Sequence, residues 1–315
     1  MNKMKNRKPF SLEPSYLVLA VFLILLFSRG VIRALGGDVN EYIVVTVLQI
    51  LTFALPAAIW GRLRSMPKFA TGGGYFSKLR IKPPKLKNIA VTISAIFALV
   101  SGGLLLSIGF SGGSSLSGSF SLYDIFVSKY DGTWLGALWL ILAYAVLPAV
   151  CEEFLFRGIL AVEYEKYGVL CAALTTSVWF AFLHFSFVKL PIYLFAGLVL
   201  SQLLYATRSL TATIVAHFVY NLFGIFGQQY ITDFYITSGT AGVAALILLT
   251  LLVASGALFC LFAARLYRAH AAETPDAKAP ERAEIIANFR AIAVDPAAII
   301  AALVFLAAAV EFIFF

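Results

Sequence analysis

Apolar positions in this chain fall in long uninterrupted runs, separated by short polar, basic or Gly-rich segments. The runs cover residues 15–27, 42–60, 89–110, 134 to about 164–167, 169–187, 190–207, 210–228 and 239–266, and a last one follows Asp295-Pro296 and ends at Phe315. Each is taken as long enough to cross a hydrocarbon layer of about 30 Å as a helix. In lipid every backbone polar group must be paired within the protein, which leaves helices or a closed barrel. Barrel strands would show short alternating segments, whereas these runs are continuous. The pattern therefore predicts an all-α, polytopic transmembrane helix bundle with about eight or nine membrane helices, the last being a ninth span or an interfacial hairpin arm. A cleaved signal peptide would begin much as this chain does. Arg29 and Arg33 follow the first run, however, and no clear cleavage site does, so an anchoring helix is expected there.

The segments between the runs predict the rest. Residues 61–88 contain Gly72-Gly73-Gly74 and Pro83-Pro84 and read as an irregular loop. Residues 111–133 are Gly- and Ser-rich and read as a flexible outer loop. Residues 271–294 read as a polar linker with a short amphipathic helix.

Composition agrees with the membrane reading: 61% of the 315 residues are hydrophobic and 13% charged, with a mean hydropathy of +0.91. Soluble domains are about half apolar and a quarter charged. The net charge of +8 raises the question of nucleic acid, but the positions of the basic residues answer it. Lys3, Lys5, Arg7 and Lys8 precede the first run. Arg62, Arg64, Lys68, Lys78, Arg80, Lys82, Lys85 and Lys87 crowd one loop, and Arg265, Arg268, Lys278, Arg282 and Arg290 lie at or beyond the eighth run. With the amino terminus cytoplasmic, alternation puts all three groups inside, as the positive-inside rule requires. An integral plasma-membrane protein facing the lipid bilayer follows, with no nucleic-acid partner. Arg29 and Arg33 run against this bias, and Glu311 in the final run has no assigned role. Cys151, Cys171 and Cys260 show no paired spacing and read as small buried hydrophobes. Internal repeats, heptads, Walker-type loops and H-E-x-x-H are absent from the sequence.

Ionisable side chains inside membrane spans are costly and mark function or buried pairing. Three groups occur. In Glu152-Glu153-Phe154-Leu155-Phe156-Arg157, Glu153 and Arg157 are four apart and can pair on one helix face. Glu152 points about 100° away, in an apolar setting that suits a general acid or base. Pro148 lies just upstream and is expected to disturb the helix. Phe180 and His184 are one turn apart on the fifth run, and His217 and Asn221 share a face of the seventh. Each group alone has an ordinary structural reading: a buried ion network, a hydrogen-bonded core histidine, or polar contacts between helices. Together, a Glu, two His and an Asn on three helices are the parts for hydrolysis. The third histidine, His270, falls in the tail and carries no expected role.

The motifs E-E-x-x-x-R, F-x-x-x-H and H-x-x-x-N, in this order on successive helices, resemble the signature of the CAAX prenyl protease 2 family. This is also called the CPBP or Abi family of intramembrane proteases. The resemblance covers roughly residues 134–225. It implies that Glu152 activates water with His184 as partner, that His217 and Asn221 stabilise the oxyanion, and that Glu153, Arg157 and Phe180 orient the helices. It implies an intramembrane endopeptidase acting on a membrane-associated peptide or protein. Three regions follow: amino-terminal helices with the basic loop (1–130), catalytic helices (131–230) and carboxy-terminal helices with the polar linker (231–315). A zinc-dependent version would use Glu152, His184 and His217 as ligands. The metal-free version is preferred because Asn is a poor zinc ligand and H-E-x-x-H is absent. A non-catalytic scaffold or immunity factor and an ion-coupled transporter are the other classes that these polar residues could serve. The absence of an inverted repeat counts against the transporter.

Overall fold

The structure is a computed structural model that describes residues 13–35, 41–65, 75–111, 122–237, 241–273 and 280–314. The basic amino terminus, Lys68, Gly72–Gly74 and Lys278 lie outside these residues, as do the side chains of Lys87, Arg29, Arg33 and Glu311. Each apolar run is helical over most of its described length, and no strand occurs among the described residues.

Among the described residues there are twelve helices: α1 (Pro14–Leu35), α2 (Glu41 to Arg64), α3 (Ile89–Ser111), α4 (Leu122–Lys129), α5 (Trp134–Tyr167), α6 (Val169–Phe182), α7 (Leu190–Thr207), α8 (Leu210–Phe226), α9 (Gln228–Thr237), α10 (Ala241–Glu273), α11 (Arg282–Ala293) and α12 (Pro296–Phe314). Among the described residues five are long and apolar enough to cross a membrane: α2, α3, α5, α7 and α10. The bent pairs α8–α9 (58°) and α11–α12 (66°) raise the number to as many as seven. The apolar parts of α1 and α6 are shorter. The nine apolar runs thus account for the bundle, but not all are full crossings. At about 1.5 Å per residue α6 covers roughly 20 Å, less than the hydrocarbon thickness. It is buried along most of Cys171–Ala181, so it need not reach both faces.

Small residues let the helices around α6 approach closely. A Cβ on Gly197 of α7 would come within 3.0 Å of the Ser177 backbone on α6. One turn on, Ser201 Oγ lies 3.2 Å from Ser177 Oγ. Gly197 and Ser201 are the small-x-x-x-small pair that membrane helices use where no hydrophobic drive exists between them. On α3, a Cβ on Gly102 would collide with the Phe195 ring, and one on Gly103 with the Tyr220 hydroxyl. These contacts hold α3 against α7 and α8.

α5 carries the acidic pair and is not a regular α-helix. Thr133 caps its start, its hydroxyl accepting from Gly136 N at 3.0 Å. Asp131 Oδ1 in turn accepts from Thr133 N and Oγ1, and these bonds hold the Asp131 carboxyl below its usual range. Two π segments follow, Leu142–Val146 and Phe154–Leu160. The first ends two residues before Pro148. α2 repeats the device, with a π segment at Ile50–Ala54 two residues before Pro56. A proline ring clashes with the carbonyl four residues back. Widening that turn relieves the clash, so the disturbance expected at Pro148 takes the form of a π turn. Gly168, at φ 91°, makes the turn into α6.

Three expectations change. Within 111–133, Leu122–Lys129 is helical and lies on α8. Leu122 abuts Gly224, and the Phe126 ring meets Phe226 at 5.0 Å. Leu122, Ile125 and Phe126 form an apolar stripe at helical spacing that the Gly/Ser composition of the segment obscures. α6 stops at Phe182, five residues short of the end of its apolar run. α10 continues to Glu273, past the expected end at 266, and carries Arg265, Arg268 and His270 as helical residues.

The end of the bundle where α2, α5, α7 and α10 finish is tied by ion pairs. Arg64 pairs with Glu163 at 2.7 Å, Arg80 with Glu165 at 2.6 Å and Arg208 with Glu273 at 3.0 Å. Arg80 O accepts from Leu210 N and Lys82 O from Ser209 Oγ. The basic loop is thereby strapped to the start of α8.

Candidate active site

A cavity of about 350 Å³ lies inside the bundle among α3, α5, α7 and α8. Its lining includes Glu152 from α5, His184 from the α6–α7 turn, and His217 and Asn221 from α8, with Phe180 beside them. The four polar residues singled out from sequence therefore share one chamber. Glu152 and His217 are both more than nine-tenths buried.

Glu153 and Arg157 sit beneath the chamber, with 0% and 1% exposure. Arg157 Nη1 donates to Glu153 Oε1 at 2.8 Å, as the four-residue spacing implies. Arg157 Nη2 reaches the Gly197 carbonyl at 3.0 Å, which the close α6–α7 approach keeps at the same level. The same Glu153 oxygen accepts from His217 Nδ1 at 2.9 Å. Glu153 therefore joins three helices: its own, α8 through His217, and α7 through Arg157. It also sets the His217 ring, because a proton on Nδ1 directed at a carboxylate leaves Nε2 for the cavity. In that state Nε2 accepts when the ring is neutral and donates only as imidazolium. The link from Glu153 to His217 is not readable from spacing, since the two are 64 residues apart.

His184 lies beyond the end of α6, not within a helix. The final carbonyls of a helix have no intrahelical donor. His184 uses one of them: its Nδ1 is 2.9 Å from Phe180 O, so this ring too leaves Nε2 for its other side. Phe185 follows in the left-handed region at φ 47°. A phenylalanine held there carries strain, and its ring is fully buried against Phe22 at 5.4 Å. That anchoring fixes the turn and hence the height of His184. Tyr193 from the first turn of α7 stacks flat on His184, with ring centroids 3.4 Å apart. Phe180 is the common neighbour. Its ring meets His184 at 5.3 Å and His217 at 5.8 Å edge-on, and the Arg157 guanidinium lies 4.6 Å from its centre.

Tyr193 and Tyr220 also line the cavity and were not among the residues expected from sequence. Neither belongs to a spacing pattern. Tyr193 stands out only once the α6–α7 turn is folded.

Glu152, His184 and His217 line one chamber. Among the described residues, however, no three His, Cys, Asp or Glu side chains are grouped as metal ligands would be. As arranged, these residues do not fit the tetrahedral zinc set expected for the metal-dependent version.

Residues 134–223 match a protein-family model described as Rce1-like, type II CAAX prenyl endopeptidase Rce1-like. The match runs from the start of α5 into α8 and contains Glu152, Glu153, Arg157, Phe180, His184, His217 and Asn221. No curated protein and no solved structure matches the chain.

Proposed function

Taking as premise that residues 134–223 form an Rce1-like domain, which makes this a CAAX-protease-like membrane peptidase, we propose that it cleaves by a metal-free, glutamate-driven hydrolysis in the chamber between α5 and α8. The observation that carries the reading is the meeting of Glu152, His184, His217 and Asn221 on one cavity, while Oε1 of the adjacent Glu153 is committed to Arg157 and His217.

The chemistry assigns each residue a task. A water held between the Glu152 carboxylate and His184 Nε2 faces two acceptors, because His184 Nδ1–H is committed to Phe180 O. The water oxygen attacks the peptide carbonyl carbon, and its proton passes to Glu152. The carbonyl oxygen becomes an oxyanion that accepts from the Asn221 amide and from His217 Nε2–H, with the imidazolium held by Glu153. Collapse breaks the C–N bond. The proton on Glu152 goes to the departing amine, and the new carboxylic acid gives its remaining proton to solvent, leaving a product carboxylate and a free enzyme. Glu153, Arg157 and Phe180 act through position.

In this reading residues 131–230 are the catalytic helices. Residues 1–130 and 231–315 complete the bundle around them in the cell membrane, with the amino terminus cytoplasmic. The test is hydrolysis of a peptide library by the purified full chain in lipid nanodiscs. Wild-type activity that survives chelator and is lost in Glu152→Gln supports the proposal. Loss to chelator with recovery on adding zinc overturns the metal-free part. Equal activity in Glu152→Gln overturns the assignment of Glu152.

A further inference from the structure

We propose that Phe305 of α12 is a positioning residue for His184, so that the carboxy-terminal helix takes part in setting the geometry of the catalytic chamber. This rests on the protease reading and extends its machinery beyond residues 134–223.

His184 stands on the turn between α6 and α7, past the last residue of α6. Backbone bonds such as Phe185 N to Phe182 O at 3.0 Å and Leu190 N to Phe187 O at 3.3 Å are local. They set the shape of the turn but not its place in the bundle. That place comes from side chains. Phe22 of α1 meets Phe185 at 5.4 Å and Trp179 at 6.1 Å, both edge-on. Phe305 of α12 stacks on Phe182 at 4.1 Å, within 8° of parallel, and meets Phe187 edge-on at 5.2 Å. Phe182 and Phe187 flank His184 on its two sides along the chain. One buried side chain from α12 therefore bridges both ends of the turn. Aromatic pairs in these geometries attract beyond the area they bury.

α12 is built to deliver that ring. Its buried residues are Ala297, Ala298, Ala301, Phe305, Ala308 and Ala309, at the three- and four-residue spacing of one helix face. Small residues let α12 lie close along α1, and Phe305 is the one large side chain among them. Leu303 and Leu306 lie off this face and are exposed. The helix pair is anchored at its start, where Asn288 Nδ2 of α11 donates to Tyr167 O at 3.2 Å at the end of α5. This gives the last apolar run, which lies outside the matched residues, a task.

The consequence falls on turnover. His184 Nδ1 is bonded to Phe180 O of α6, and its ring is stacked on Tyr193 of α7. A turn that shifts against those helices carries Nε2 away from the water it shares with Glu152. Misplacement of a reacting group by about 1 Å costs about 10²-fold. None of the described α12 residues lines the chamber, so the brace acts through His184 and not on the bound peptide.

The test uses the full chain in lipid nanodiscs and reads it in two ways. The first is steady-state hydrolysis of a library peptide that the wild-type chain cleaves. Phe305→Ala lowers kcat by a factor of about 10 to 100 with KM unchanged, and Phe305→Leu, which keeps most of the bulk, restores most of the loss. The second is histidine-ring NMR of chain labelled at its three histidines, assigned by single replacements. The His184 ring protons, shifted upfield by the Tyr193 ring, move downfield in Phe305→Ala, while the His270 signals stay. Phe259→Ala in α10 empties a buried site outside the ring cluster. It lowers stability and leaves the His184 signals and the kcat of the folded protein unchanged. If Phe305→Ala does not fold, Phe305→Val carries the same comparison. Wild-type kcat, a loss carried by KM, or unmoved His184 signals overturns the proposal, as does the same response in Phe259→Ala. If the His184 signals move but even the wild-type chain hydrolyses no peptide, the positioning of His184 stands and the protease reading fails.

Discussion

Glu152 and Glu153 are neighbours in sequence, yet they face two different regions of the molecule. Glu153 lies in a buried network in which its Oε1 meets both Arg157 and His217, and Arg157 reaches on to the Gly197 carbonyl. Glu152 faces a chamber of about 350 Å³ shared with His184, Asn221 and the far side of His217. One step of 100° around α5 separates a side chain that holds helices together from one that can meet a substrate. The difference teaches that an intramembrane carboxylate has to be read with its neighbours, because its residue type does not say whether it stabilises or reacts. The cost of burying a charge is met at Glu153 by two cationic or hydrogen-bonding partners, and at Glu152 by a polar chamber.

Perturbing the two faces should therefore give opposite signatures. Glu152→Gln should lower kcat by a factor on the order of 10³ or more, in the range set by loss of a positioned acid–base group. The thermal midpoint in detergent should stay unchanged, and an unfolded variant would break the comparison. Glu153→Ala should do the reverse first, costing about 3–5 kcal/mol of stability by leaving Arg157 buried without its carboxylate. Denaturation followed by fluorescence would measure it. Replacing both as Glu153→Met and Arg157→Met should recover most of that stability but not the activity, because His217 Nδ1 loses its acceptor. Full activity in this double variant would separate His217 from the network.

Asn221→Ala should cost about 10²–10³ in kcat with little effect on stability, as for removal of one oxyanion donor. Tyr193→Leu should reduce kcat about tenfold by releasing the ring stacked on His184, an interaction of about 0.5–1.5 kcal/mol, while Tyr193→Phe retains activity. Arg80→Ala at the strapped end should have the smallest effect. Its pair with Glu165 is about a quarter exposed on each side, and such pairs contribute about 0–1 kcal/mol. A large loss of turnover there would mean that the strap and the chamber are coupled.

The structure and the sequence agree most closely where local rules suffice. α7 occupies 190–207 as expected, because Pro191 sits in its first turn and Arg208 takes the left-handed conformation that ends it. The Glu153–Arg157 pair was legible for the same reason: both residues lie on one helix at a spacing that brings them together. α4 was not, since it is stabilised by packing on Gly224 and Phe226, which lie about a hundred residues away. The π turns beside Pro56 and Pro148 were not legible as such either. Proline announces a disturbance, but whether the helix kinks or widens depends on how its neighbours constrain it.

The sequence by itself determined a membrane helix bundle, its charge asymmetry, and the identity of the polar residues placed within it. Uninterrupted apolar runs and the cost of an unpaired backbone in lipid admit little else. Only the tertiary structure decided that α6 ends at Phe182 and presents His184 from a turn, that Glu153 reaches across to His217, and that Tyr193 covers His184. These depend on contacts between residues distant along the chain, and no periodicity in the sequence encodes how far one helix slides or turns against the next.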